Sequence, residues 1–166
     1  MALEPKNPPR PAAPAPPAPL DEVDRAILRV LAADSRLPNN AIAEQVGIAP
    51  STCHGRIGAL RERGVILGFH TEIALSALGL SLQAMIAVRL RSHTRSQIDV
   101  FARHISELPG VVSIFHVAGV DDYLLHVAVP DSDALRDFVL DHLTSHPAVQ
   151  HTETSLIFER RPGPVF

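Results

Sequence analysis

The sequence predicts an α+β chain in two parts, a helix-turn-helix unit followed by a ferredoxin-like βαββαβ domain. Two observations carry that prediction. Three short amphipathic segments lie between residues 20 and 66 with Gly47 before the last of them, and extended and helical patterns alternate as β-α-β-β-α-β from residue 82 to 158. In that second pattern the helices cover one face of the sheet only.

Composition narrows the class. The 166 residues allow one ordinary domain or two small ones. A net charge of -3 argues against nucleic acid until it is divided: residues 82–166 carry 7 basic and 10 acidic side chains, whereas residues 50–63 carry 3 arginines against Glu62 alone. An aromatic content of 4% leaves little for stacking on single strands or RNA, so duplex DNA is the nucleic acid to consider. A single cysteine, no signal peptide and no 18-residue apolar run predict a reduced, cytoplasmic protein without a membrane partner.

Residues 1–19 hold 8 of the 15 prolines, interspersed with alanine, and read as a disordered tail that buries little. The first helix opens at Leu20-Asp21-Glu22-Val23-Asp24, with Asp21 as cap, acids in the first turn and Val23, Ile27, Val30 and Leu31 inward. A second helix runs from about Pro38 to Val46 and stops at Gly47. The third occupies the stretch from Ala49 onward. With Cys53, Ile57 and Leu60 inward, its other face carries Ser51, Thr52, Gly55 and Gly58, flanked by His54, Arg56 and Arg63. That face is small, polar and partly cationic, and two glycines at about 1 kcal/mol each in a helix interior suit a large anionic partner that must come close. Gly64 stops the helix, and residues 67–81 read as a strand linker.

In the second part, residues 82–90, 111–118, 123–129 and 149–158 read as strands and residues 94–108 and 131–145 as helices. A Thr94-x-x-Gln97 capping box opens the first of these helices, and Gly119-Val120-Asp121-Asp122 turns the central hairpin. Apolar residues at both parities of all four strands predict that a second copy of the chain hides the uncovered face, giving a homodimer. Residues 159–166 read as a C-terminal tail.

From Leu20 to about Phe158 the chain resembles the Lrp/AsnC family of leucine-responsive and asparagine-responsive transcription regulators. The matching pieces are Leu20-Asp21-x-x-Asp24-x-x-Ile27-Leu28-x-x-Leu31, Asp34-Ser35-Arg36, Val46-Gly47-Ile48, Arg56-Ile57-x-x-Leu60-x-x-x-Gly64-Val65-Ile66 and Gly119-x-x-Asp122-Tyr123-Leu124-Leu125. Each piece is weak alone, and their order and spacing make them specific. The resemblance implies a winged helix-turn-helix over 20–66, a RAM/AsnC-type effector and oligomerisation domain over 82–158, and dimers that assemble further, as octamers for example. The chain departs from the family pattern at two helix openings, with Ala49 and Pro38 where serine is common.

For DNA, helical geometry and the resemblance agree on Ser51, Thr52, His54, Gly55 and Arg56, with Arg61 and Arg63 on phosphates. For an amino-acid effector, the hairpin turn offers backbone N–H groups to a carboxylate and two acids to an ammonium, through Gly119, Val120, Asp121 and Asp122. The resemblance points to the same turn with its neighbour Tyr123, at the contact between dimers, and adds Thr152 and Thr154 of the last strand. No cofactor is implied. Nine histidines raise the question of a metal, but pairing Ala118 with Tyr123 sets His116 opposite Leu125 and His126 opposite Phe115, on opposite faces of the sheet. No glycine-rich phosphate loop, nucleophile motif or paired acids outside this turn points to catalysis. The sequence thus reads as a DNA-binding transcription regulator. The alternative is a ferredoxin-like metabolite-binding protein or enzyme whose N-terminal helices serve assembly, and it differs in binding no DNA at low salt.

Overall fold

The computed structural model describes residues 19–92, 94–161 and 163, so the expected tail over 1–18 lies outside the described residues. The chain divides into two compact units, one ending at Thr71 and the other beginning at Glu72.

In the first unit, helix α1 (Glu22–Ala33) starts where the Asp21 carboxylate accepts the Asp24 backbone N–H at 2.8 Å. Helix α2 (Asn39–Val46) follows Pro38 and ends at Gly47, whose φ of 75° admits the sharp turn into α3 (Pro50–Glu62). The three helices close on Ile27, Leu31, Ile42, Ala43, Cys53 and Leu60, all buried. Residues 67–81 differ from the strand expected there: they carry no strand, only a 3₁₀ turn at Leu75–Leu78. An extended segment becomes a strand by pairing with a neighbour, and none of the described residues pairs with this one.

The second unit holds β1 (Leu82–Leu90), α4 (Arg95–Ser106), β2 (Val111–His116), β3 (Tyr123–Val129), α5 (Ser132–Phe138) and β4 (Val149–Leu156). The antiparallel sheet has the order β2-β3-β1-β4. Burial alternates along β1, and its inward residues Ala84, Ile86, Val88 and Leu90 pack with Phe101 and Ile105 of α4 and with Leu135 and Phe138 of α5.

Three local expectations change. Thr94 precedes α4 without a side-chain cap bond, so the capping box does not form; the Gln97 N–H bonds to the Thr94 backbone carbonyl instead, at 3.0 Å. The helix expected over 131–145 widens into a π-helical segment at Val139–Thr144, where the Thr144 hydroxyl donates to the Val139 and Leu140 carbonyls and His104 Nε2 lies 3.2 Å from the His142 carbonyl. The uncovered sheet face carries an apolar patch on β1, β2 and β3, through Met85, Ala87, Phe115 and Leu124, beside the polar Gln83, Arg89, Ser113 and His126, and is polar on β4, where the outward positions are His151, Glu153 and Ser155. Both apolar residues of β4, Val149 and Leu156, pair with helix-side residues of β1.

Candidate functional site: the third helix and the Gly119 turn

Helix α3 is seated by its apolar side and by its start. Cys53 and Leu60 are fully buried, the Ile48 N–H reaches the Ala43 carbonyl at 3.0 Å, and the Asn39 amide donates to the Pro50 carbonyl at 2.8 Å. No side chain caps the helix at Ala49, and Pro50 fills its first turn, where a backbone N–H is dispensable. Burial pushes the Cys53 thiol up from its ordinary range, as for a small core residue rather than a reactive thiolate.

The outward face holds most of the expected DNA contacts. Ser51, Thr52, His54, Gly55 and Arg61 are exposed. A Cβ built on Gly55 or Gly58 would meet nothing within 4 Å, so packing inside the chain does not require either glycine.

Arg56 and Arg63 lie differently from the expectation. Both are half-buried and turned toward the start of α1. Arg56 Nη1 donates to Asp21 Oδ2 at 2.6 Å and to Asp24 Oδ1 at 2.8 Å, and Arg63 Nη1 lies 3.7 Å from Asp24 Oδ2. The Asp21 carboxyl is held below its usual range first by the Asp24 backbone N–H and then by Arg56. Asp24, read from the sequence only as a dipole-favoured acid, is 6% exposed and anchors both arginines. Its signal was its place in the first turn three residues after a cap that already supplied the acid there.

In the second unit the expected effector residues separate into a turn and a sheet row. The Val117 N–H donates to the Asp122 carbonyl at 2.9 Å, so the loop is wider than pairing Ala118 with Tyr123 would give, and His116 pairs with Tyr123 instead. His126 pairs with Ser113, which leaves the two histidines on opposite faces as expected. Val120 and Gly119 are exposed, and a Cβ on Gly119 would meet nothing within 4 Å.

The two acids of the turn are already engaged. Asp122 accepts the Leu90 N–H at 2.8 Å and donates its own N–H to the Val88 carbonyl at 2.9 Å. Arg89 donates from Nε to the Val120 carbonyl at 2.9 Å, with Nη2 3.5 Å from Asp121. Arg89 is the residue at this candidate site that sequence reading missed, because its partner Val120 is 31 residues away and only the β1–β3 register joins them. Tyr123, expected at the effector, is a core residue: it is 2% exposed, packs on Phe101 at 5.4 Å and stacks on His116 at 4.8 Å. Burial raises its phenol first, and the Asp122 and Asp99 charges add to that.

Tyr123, Val88 and Thr152 form one row across the sheet, and Leu125, Ile86 and Thr154 the next. Thr154 lines a shallow groove of about 300 Å³ with Ser132, Leu135, Arg136, Val139 and Leu140. Among the described residues no group of three or more His, Cys, Asp or Glu side chains could hold a metal, and no helix is long and apolar enough to cross a membrane.

Comparison with known proteins joins these two regions. The winged helix-turn-helix DNA-binding description matches residues 20–66, and the Lrp/AsnC ligand binding domain matches residues 83–162. The HTH-type transcriptional regulator AldR of Mycolicibacterium smegmatis is 52% identical over 87% of this chain and 84% of its own. The transcriptional regulator AzlB of Bacillus subtilis is 33% identical over 83% and 88%. A transcriptional regulator of Neisseria meningitidis, solved as an L-Met complex, superposes with a TM-score of 0.81 at 33% identity, covering 89% of this chain and 95% of that one. The relatives are regulators rather than enzymes, and the chain belongs to the Lrp/AsnC family of DNA-binding transcription regulators.

Proposed function

We propose that this regulator works in the cytoplasm as a homodimer or a larger assembly such as an octamer, and that an amino acid bound at the Gly119 turn changes its grip on duplex DNA. The observation that carries the DNA half is the outward face of α3, with Ser51, Thr52, His54 and Gly55 exposed and open space around Gly55. Hydroxyls accept or donate to several bases, so sequence preference is loose and aided by DNA bending, while Arg61 meets phosphate. The apolar part of the uncovered sheet face, centred on Met85, Ala87, Phe115 and Leu124, is the surface a second copy covers.

The effector half is supported by the ligand-binding domain match and by a relative solved with L-Met. An amino acid is a zwitterion, and the turn presents both complements: the Arg89 guanidinium and exposed backbone N–H groups for the carboxylate, and Asp121 for the ammonium. Thr152 and Thr154 lie on the helix side of β4, apart from this turn, and join the site only from a neighbouring dimer where dimers meet. A thermal-shift screen of the twenty amino acids tests this, since a ligand at one hundred times Kd stabilises by about 2.7 kcal/mol. One or a few amino acids should raise the melting temperature, and Asp121→Ala should remove that rise; a flat screen overturns the effector half.

A further inference from the structure

We infer that Arg56 serves DNA recognition as a positioning residue: two carboxylates at the start of α1 hold its guanidinium and so set the angle at which α3 presents Ser51, Thr52 and His54. The inference rests on the reading that α3 meets DNA. The apolar seat of α3, Cys53 and Leu60, fixes how deeply the helix sits but is non-directional. No cap at Ala49 supplies direction at its start. The Asn39 amide ties the start of α3 to α2, and the directional contacts to α1 are charged: Arg56 to Asp21 at 2.6 Å and Asp24 at 2.8 Å, and Arg63 to Asp24 at 3.7 Å. Arg56 and Arg63 are seven residues apart, about two helical turns on one side. Tied at both points to one carboxylate, α3 cannot roll or tilt against α1 without loosening a charged contact.

The same geometry keeps Arg56 away from phosphate. Asp24 has only 9% of its side chain accessible, and withdrawing Arg56 would strip a buried carboxylate of its closer partner, which costs more than one solvent-exposed phosphate contact returns. Two acids and two arginines also offset one another, so the cluster adds little to the field that attracts DNA.

The test uses the full chain and two duplexes of equal length, one selected from a random pool for tight binding and one of random sequence, measured at several salt concentrations where circular dichroism shows each variant folded. The variants are Asp24→Asn, Arg56→Gln and Arg56→Lys, with Arg61→Ala as the phosphate control, expected to flatten the salt slope by about 0.9. Positioning predicts that Asp24→Asn lowers the ratio of selected to random affinity by about tenfold, the loss of one charged hydrogen bond, and that Arg56→Gln, which loses two, lowers it at least as far, with the wild-type salt slope and a combined loss smaller than the sum of the two. Arg56→Lys, which keeps the charge but ends one atom short of Nη1, the nitrogen that meets both carboxylates, should lower the ratio too. A direct phosphate contact predicts the opposite sign for Asp24→Asn, which frees the arginine and removes a negative charge, together with a flatter slope for Arg56→Gln and wild-type binding for Arg56→Lys. Those results, or an unchanged ratio in variants that merely melt earlier, overturn the inference. A wild type that binds neither duplex overturns instead the reading on which it rests. If Asp24→Asn does not fold, the Arg56→Lys ratio decides alone.

Discussion

The Asp122 carboxylate accepts the backbone N–H of Leu90 at 2.8 Å, where the β1–β4 register slips between Arg89 and Leu90. That N–H faces the β3 side of β1, beyond the last β1–β3 pair at Val88 and Tyr123, and a side chain from the hairpin turn supplies the acceptor the ladder no longer offers there. The turn thus closes the end of β1 in addition to the ligand role proposed for it. Asp122→Ala should therefore cost about 1–3 kcal/mol in urea unfolding of the C-terminal unit, the range for a buried donor left unsatisfied, besides losing the effector response. Asp121→Ala, whose partner Arg89 is partly exposed, should lose the response at a cost below about 1 kcal/mol. Equal destabilisation by the two variants would contradict this division.

Gly55→Ala should move stability and binding in opposite directions. With nothing within 4 Å of the new Cβ and an ordinary helical φ, the change stabilises α3 by about 0.5–1 kcal/mol. The same methyl intrudes on whatever approaches that face, so affinity for duplex DNA should fall. A stabilised variant with undiminished affinity would take Gly55 out of the DNA interface.

At the helix start, Ala49→Ser should stabilise the N-terminal unit by about 0.5–2 kcal/mol. The backbone there, at φ -69° and ψ 143°, already has the extended geometry from which a hydroxyl caps the first turn. Thermal melting reads the gain, and no gain would mean that the hydroxyl bonds elsewhere.

Acid should weaken the sheet unit through its histidines. Burial, then Arg160, lowers the His126 imidazole below its ordinary value of 6.5, and burial, then His104, lowers His146. Each folded-state value lies below the unfolded one, so the unfolded chain binds more protons as pH falls. The stability is complete above about 6.5 and is lost as pH falls through the lower folded values. His126→Gln, beside its partner Gln83 at 2.9 Å, should flatten the pH dependence of urea unfolding between pH 7 and 5. An unchanged slope would assign the dependence to other groups.

What the sequence made legible was whatever depends on neighbours close in the chain. The Asp21 cap, the Gly47 turn and the inward set of Cys53 and Leu60 follow from spacing alone, and the structure places them as expected. Contacts that join distant segments were not legible. Arg56 reads as an outward cation until Asp21, 35 residues earlier, is seen to take its hydrogen bond. Tyr123 reads as an effector residue beside the turn until Phe101 and His116 close around it. The missing strand over 67–81 has the same cause, since pairing is a property of two segments and periodicity reports on one.

Fluorescence anisotropy of a labelled duplex, titrated with the full chain at several salt concentrations with and without each amino acid that raises the melting temperature, tests the central claim most directly. An amino-acid-responsive DNA-binding regulator predicts binding whose logarithm falls linearly with log salt by about 0.9 for each phosphate contacted, and a shift in affinity or in chains per duplex when the amino acid is added. The Asp121→Ala variant should keep the salt dependence and lose the shift. Isotherms that coincide with and without every stabilising amino acid, or no binding to duplex DNA at the lowest salt, would contradict it.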